Sequence, residues 1–295
     1  MKYYIMTFAV KFYLLEAFQI TPQHQHGNAH MASNFDLRDE IKAYWSLRSE
    51  TFDTQAGHEI FSDGERAAWH RLISRHLGPG EKRRTLDLAS GTGVVSHLLD
   101  DLGFDVTGLD WAEPMLDRAR AKASARGRSI RFLMGDAENT MEPDECYDVI
   151  TNRHLVWTLV NPEAAFAEWF RLLRPGGQLL VVDGDFVNHG LLSRLFGAIG
   201  RGLARFRPGP AVSEQAASML ATHQSILSRV HFSSGARADA VADLLASAGF
   251  HDIVIDTDMR AIHRAQKKNF PFLKRLERAT QHRFAICAIK PTASP

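Results

Sequence analysis

The chain has 295 residues, of which 45% are hydrophobic, with 35 Lys and Arg against 34 Asp and Glu. That apolar content supports a substantial core and excludes global disorder, while the cancelling charge argues against a generic nucleic-acid binder. Two distant cysteines, Cys146 and Cys287, neither with a partner at zinc-ligand spacing, read as reduced thiols of a cytoplasmic protein rather than as a disulfide framework or metal site.

In chain order, Tyr3 to Ile20 is apolar but broken by Lys11 and Glu16, too short for a membrane span. It reads as an amphipathic helix or a dispensable leader (residues 1–33), since Met31 offers a start for the compact part and His24, His26 and His30 sit in a polar linker. Asp36 to Leu77 has helical periodicity and forms a cap over residues 34–80, closed by Gly78-Pro79-Gly80. Short apolar runs then alternate with helical segments. Strands are predicted at Arg84–Ala89, Asp105–Leu109, Ile130–Met134, Tyr147–Thr151 and Gln178–Val182, with helices at Val94–Leu102, Pro114–Ala125 and Pro162–Leu173. This rhythm predicts βαβ units and a doubly wound, mostly parallel sheet within a domain spanning residues 81–295. Helices at Leu191–Phe206 and Ser213–Val230 form an insertion (residues 186–232). A helix at Ala238–Ala248, a strand at Asp252–Ile255, a basic segment (residues 259–283) and a last strand at Phe284–Ile289 follow.

The chemistry is concentrated where strands end. Thr85-Leu86-Asp87-Leu88-Ala89-Ser90-Gly91-Thr92-Gly93 runs from strand into glycine-rich turn and then helix. Such a turn brings backbone close to a ligand and points helix-terminal N–H groups at it. The next strand ends at Asp110, where a carboxylate can accept two ribose hydroxyls, and the third leads into Gly135-Asp136-Ala137. Each acid alone reads equally as a helix cap or turn. Jointly, Asp87, Asp110 and Asp136 line one sheet edge. A nicotinamide fingerprint fails at its third glycine, which here is Ser96.

These stretches resemble the class I S-adenosylmethionine-dependent methyltransferases, especially the ubiquinone/menaquinone-biosynthesis group. Leu86 to Gly93 is similar to that family's first motif, and Gly108 to Leu116 to its ribose-binding strand end. Gly135-Asp136-Ala137-Glu138 is similar to the adenine turn, Tyr147 to Ile150 to the fourth strand, and Leu172 to Gly177 to the turn into the fifth. The resemblance implies a Rossmann-like seven-stranded sheet with a terminal antiparallel strand and S-adenosylmethionine as cofactor. It further implies ribose on Asp110, adenine near Trp111, Asp136 and Ala137, and the methionine part over Ala89–Gly93, including Ser90 and Gly91, with Asp87, Met115 and Asn152 also at the cofactor. Tyr44, Trp45 and Arg48 either close over the methionine carboxylate or simply pack. Ala89 stands where the family often has glycine, and alanine is expected to fit there with a negative φ.

Methyl transfer from a sulfonium asks mainly for positioning and exclusion of water. A base is needed only if the acceptor atom (oxygen, nitrogen or carbon) must lose a proton early. His154, after the fourth strand, is either that base or a backbone-bonded histidine; Asp185 and His189 are second candidates. The insertion is expected to act as a lid. The basic segment is a solvated face, a guide for an anionic small-molecule substrate, or a peripheral membrane contact; no nucleic-acid motif accompanies it. Two alternatives stay open: a non-catalytic cofactor-binding regulator, and an enzyme using the sulfonium for another displacement.

Overall fold

The computed structural model describes residues 30–188, 214–270, 272–279 and 281–292. Most of the leader, His189, the helix expected at Leu191–Phe206 and the basic region of Arg194, Arg201, Arg205 and Arg207 lie outside the described residues.

The elements are α1 (His30–Phe52), α2 (Asp63–Leu77), β1 (Arg84–Leu88), α3 (Val94–Asp101), β2 (Asp105–Asp110), α4 (Glu113–Ala125), β3 (Arg131–Met134), β4 (Tyr147–Arg153), α5 (Pro162–Leu172), β5 (Leu173–Asp185), α6 (Glu214–Arg229), α7 (Ala238–Ser247), β6 (His251–Asp256), α8 (Arg260–Gln266), α9 (Phe272–Ala279) and β7 (His282–Ile289). The strands form one sheet in the order β3-β2-β1-β4-β5-β7-β6. β1 to β5 run parallel, and β7 is antiparallel to both its neighbours. The strand order reverses between β1 and β4, which opens a crevice beyond their carboxyl ends.

Leu86, Leu88, Ile150, Leu179, Val181 and Ile286 pack against Phe166 and Trp169 of α5 and Val241 and Leu245 of α7. On the other face, Val106, Val149, Leu180 and Ala285 meet Trp69 and Leu72 of α2, Leu98 and Leu99 of α3, and Ile262 of α8. With both faces covered, the central strands read as continuous apolar runs. The helical stretch expected from Asp36 to Leu77 is two helices. Ser62 starts the second by accepting the Glu65 N–H at 3.2 Å, while the Glu65 carboxylate accepts the Phe61 N–H at 3.3 Å. β5 begins at Leu173, five residues before the expected start, because its first residues already pair with Tyr147 across an irregularity in register.

Candidate active site

The chain leaves β1 through left-handed residues at Ala89 (φ 50°), Gly91 (φ 54°) and Gly93 (φ 79°). Gly93 caps α3, and a Cβ there would meet the Phe132 ring at 3.1 Å, so both angle and space demand glycine. Ala89 corrects an expectation: its φ is positive, because the backbone must turn sharply out of the strand, at a cost of about 1–2 kcal/mol for a residue with a Cβ.

Three carboxylates follow at the strand ends. Asp110 accepts the Gly91 N–H through Oδ2 at 2.9 Å and the Ala112 N–H through Oδ1 at 2.8 Å. Each oxygen keeps one lone pair for a ligand. Burial pushes its pKa up to about 6, against the pull of those N–H groups. Asp87 lies deeper, accepting from Ser96 Oγ at 2.5 Å and Thr151 Oγ1 at 3.3 Å, and burial likewise raises it to about 6. Asp136 accepts the Glu138 N–H at 2.8 Å and Arg38 Nη1 at 2.6 Å. Glu138 takes the other Arg38 nitrogen and the N–H groups of Val160 and Asn161.

These groups line one side of a cavity of about 260 Å³. The roof is α1 and α6, joined by Leu37, Ile41 and Tyr44 packing on Ile226 and Val230. Away from the carboxylates the walls are aromatic: Trp45 meets Trp157 at 6.3 Å, Trp157 meets Phe186 at 6.2 Å, and His154 meets Phe186 at 5.4 Å, all edge-on. His58 and the guanidinium groups of Arg153, Arg278 and Arg283 complete this end. Burial, then the charges of Arg283 and Arg153, hold the His154 pKa well below the usual histidine value. Burial, then Arg48 and Arg153, do the same to His58. Both rings are neutral near pH 7.

Among the residues singled out by sequence, Arg48, Asp87, Ala89, Ser90, Gly91, Asp110, Trp111, Met115, Asp136, Ala137 and His154 line the cavity. Tyr44, Gly93, Asn152 and Asp185 do not. Tyr44 stands behind the lining and receives Arg48 Nη1 on its hydroxyl at 2.8 Å. Gly93 serves the helix cap described above. Asn152 is buried on β4, with both side-chain polar atoms lacking a hydrogen-bond partner among the described residues. Asp185 closes the turn after β5 by accepting the N–H groups of Val187 and Asn188 at 3.1 and 2.8 Å. Sequence reasoning missed Gln55, which accepts Arg48 Nη2 at 2.8 Å, and His58 beside it. It also left Arg278, Gln281 and Arg283 in a charge run without assigning them to the site; the signal was the near absence of acids there.

A family model described as a methyltransferase domain matches residues 86–181, the span from β1 into β5 that carries the carboxylate edge. The demethylmenaquinone methyltransferase of Renibacterium salmoninarum is 27% identical over 238 residues, covering 78% of this chain and 93% of that protein. That of Thermus thermophilus is 37% identical over 128 residues, covering 43% and 58%. Phosphoethanolamine N-methyltransferase 2 of Haemonchus contortus, solved with S-adenosyl-L-methionine, shares the fold at a TM-score of 0.60 and 16% identity, covering 87% of this chain and 60% of that one. The chain is a class I S-adenosylmethionine-dependent methyltransferase.

The methyltransferase's cavity fits its cofactor, S-adenosylmethionine, on three observations. The two lone pairs left on Asp110 match the two donors of a ribose diol. Ser90 Oγ is buried at the cavity wall without a hydrogen-bond partner among the described residues, a group that a ligand would satisfy. Leu109, Trp111 and Met115 line an apolar stretch of the same wall beside Ala137, suited in character to a flat ring, while the Gly91 N–H is already taken by Asp110.

Proposed function

We propose that this methyltransferase moves the sulfonium methyl to a small acceptor with an aromatic ring, held under α6 between Trp45, Trp157 and Phe186. The observation that carries the reading is the continuity of one cavity from the carboxylate edge to that aromatic chamber. Stacked and edge-on rings prefer another ring, worth about 0.5–1.5 kcal/mol per pair beyond burial. The relatives named for demethylmenaquinone supply a quinone-like ring as the acceptor class.

In this proposal Asp110 holds the ribose, Trp111, Met115, Asp136 and Ala137 flank the adenine, and Ser90 and Gly91 meet the methionine part. Arg48, braced by Tyr44 and Gln55, faces the methionine carboxylate. Asp87 stiffens the loop through Ser96 and Thr151. The cofactor supplies an electrophilic methyl when bound. The chain holds the acceptor in line at roughly 3–3.5 Å, and its roof excludes water. His154, neutral and facing the chamber, accepts the acceptor's proton; as a weak base it suits an acceptor acidified by the neighbouring guanidinium groups. Residues 34–52 and α6 act together as the lid.

Two free thiols, at Cys146 and Cys287, support a cytoplasmic setting. No helix among the described residues is long and apolar enough to cross a membrane. The test is incubation of the protein with cell extract and isotopically labelled methyl donor, followed by mass spectrometry. A labelled small aromatic product is expected; label only on macromolecules, or none at all, overturns the reading.

A further inference from the structure

We infer that the acceptor carries an oxyanion, a carboxylate or a phosphate ester, which docks among Arg153, Arg278 and Arg283 at the aromatic end of the cavity. The word acceptor rests on the methyl-transfer reading above, whereas the anion site rests on the arginines themselves. They come from three separate elements, β4, α9 and β7, yet all face one chamber.

Arg153 is the decisive member. Its Nη2 donates to the His58 carbonyl oxygen at 3.0 Å and its guanidinium lies 5.4 Å from the centre of the Trp69 ring. Among the described residues no carboxylate oxygen lies within 4.0 Å of it; Asp87, Glu59 and Glu65 act on it only from farther away. A buried cation without a counter-ion is costly, and the cost is offset when an anion arrives. Arg278 lies over the Phe270 ring at 4.3 Å and Arg283 over Phe186 at 5.7 Å. Arg278 Nη2 also donates to Gln266 Oε1 at 3.3 Å. These contacts hold the cations at this end of the cavity, where a guanidinium group can add a charge-assisted hydrogen bond to an oxyanion. After burial, the charges of Arg153, Arg278 and Arg283 all act on both His58 and His154 in the same chamber. The aromatic walls beside the arginines complete a site for an aromatic acid.

The competing occupant is the cofactor's own carboxylate, so the test is made on protein loaded with S-adenosylhomocysteine. Calorimetric titration with benzoate, phenyl phosphate and neutral benzamide is expected to show at least one anion binding about tenfold or more tighter than benzamide. The tighter anion assigns carboxylate or phosphate ester. Arg283→Gln and Arg153→Gln are each expected to lose about tenfold of that affinity, and Arg153→Lys to lose less, with S-adenosylhomocysteine affinity held within about twofold. Equal binding of anions and benzamide, no anion binding, or glutamine variants that weaken S-adenosylhomocysteine instead, overturns the site. Anion binding in a protein that yields no labelled product from extract overturns the acceptor reading and leaves the anion site standing.

Discussion

Ala89 holds φ at 50°, a left-handed angle that glycine adopts freely and alanine does not, in a loop that lines the cavity. Backbone strain of this kind persists at ligand clamps because the surrounding structure over-determines it. Ala89→Gly is expected to stabilise the fold by about 1 kcal/mol, read as a rise of roughly 2–4 °C in melting temperature. An unchanged or lower melting temperature would mean the position is unstrained. Asp110 carries a pH dependence. Its pKa of about 6 means the charged form, with its full acceptor capacity, is lost as pH falls through 6. Cofactor affinity is therefore expected to drop by about tenfold per pH unit below 6, and Asp110→Asn to bind weakly with no such step. Folding responds with the opposite sign. Between about pH 4 and 6 the native state keeps protons on Asp110 and Asp87 that the unfolded chain has released, so both withdraw stability as pH rises through that window. Burial and the neighbouring arginines hold His154 neutral near pH 7. His154→Ala is expected to slow single turnover by about 10²-fold with cofactor affinity nearly unchanged; a normal rate with a lowered melting temperature would assign it to packing.

Among elements, α1 and α6 decide whether the cavity is closed. Arg38 ties α1 to Asp136 and Glu138 beyond the third strand end, so the roof is anchored to the carboxylate edge itself. Ile226 is 2% exposed and packs across the seam against Leu37 and Ile41. Ile226→Ala removes buried volume worth about 2–5 kcal/mol at that seam. Single-turnover rate is expected to fall more than cofactor affinity if, as proposed, the roof orients the acceptor while the strand ends hold the cofactor; equal losses in both would argue against a lid. The strand ends themselves were legible in the sequence, since Asp87, Asp110 and Asp136 each follow a short apolar run and local spacing alone places them on one edge. The segment between α1 and α2 was not legible. Gln55 and His58 sit in a stretch whose helical periodicity continues on both sides, and only packing of α1 over the sheet brings them to the cavity. Asp185 shows the reverse error: a carboxylate at a strand end that looks like a ligand-facing acid is consumed by its own turn.

For the molecule as a whole, a net charge of +1 conceals a cavity lined by both carboxylates and guanidinium groups. Composition could not reveal this, because the arginines are separated by more than a hundred residues between Arg153 and Arg278 and meet only through the sheet. The order of the strands has a further consequence for biosynthesis. β7 is the latest of the described strands, yet it lies between β5 and β6. A growing polypeptide therefore makes β6 before the strand it must pair with exists, and β5 keeps an open apolar edge for the rest of elongation. Val254 and Ile255 of β6 stay partly exposed even in the finished fold, at 54% and 41%. Unpaired edges of this kind invite pairing with other chains. A chain terminated after Gln281 is accordingly expected to partition into the insoluble fraction on expression, whereas the full chain does not; soluble accumulation of the shortened chain would show that the sheet closes without its final strand. Arg283 rides on that strand, so the guanidinium cluster at the cavity is assembled only once β7 has been made and has joined the sheet.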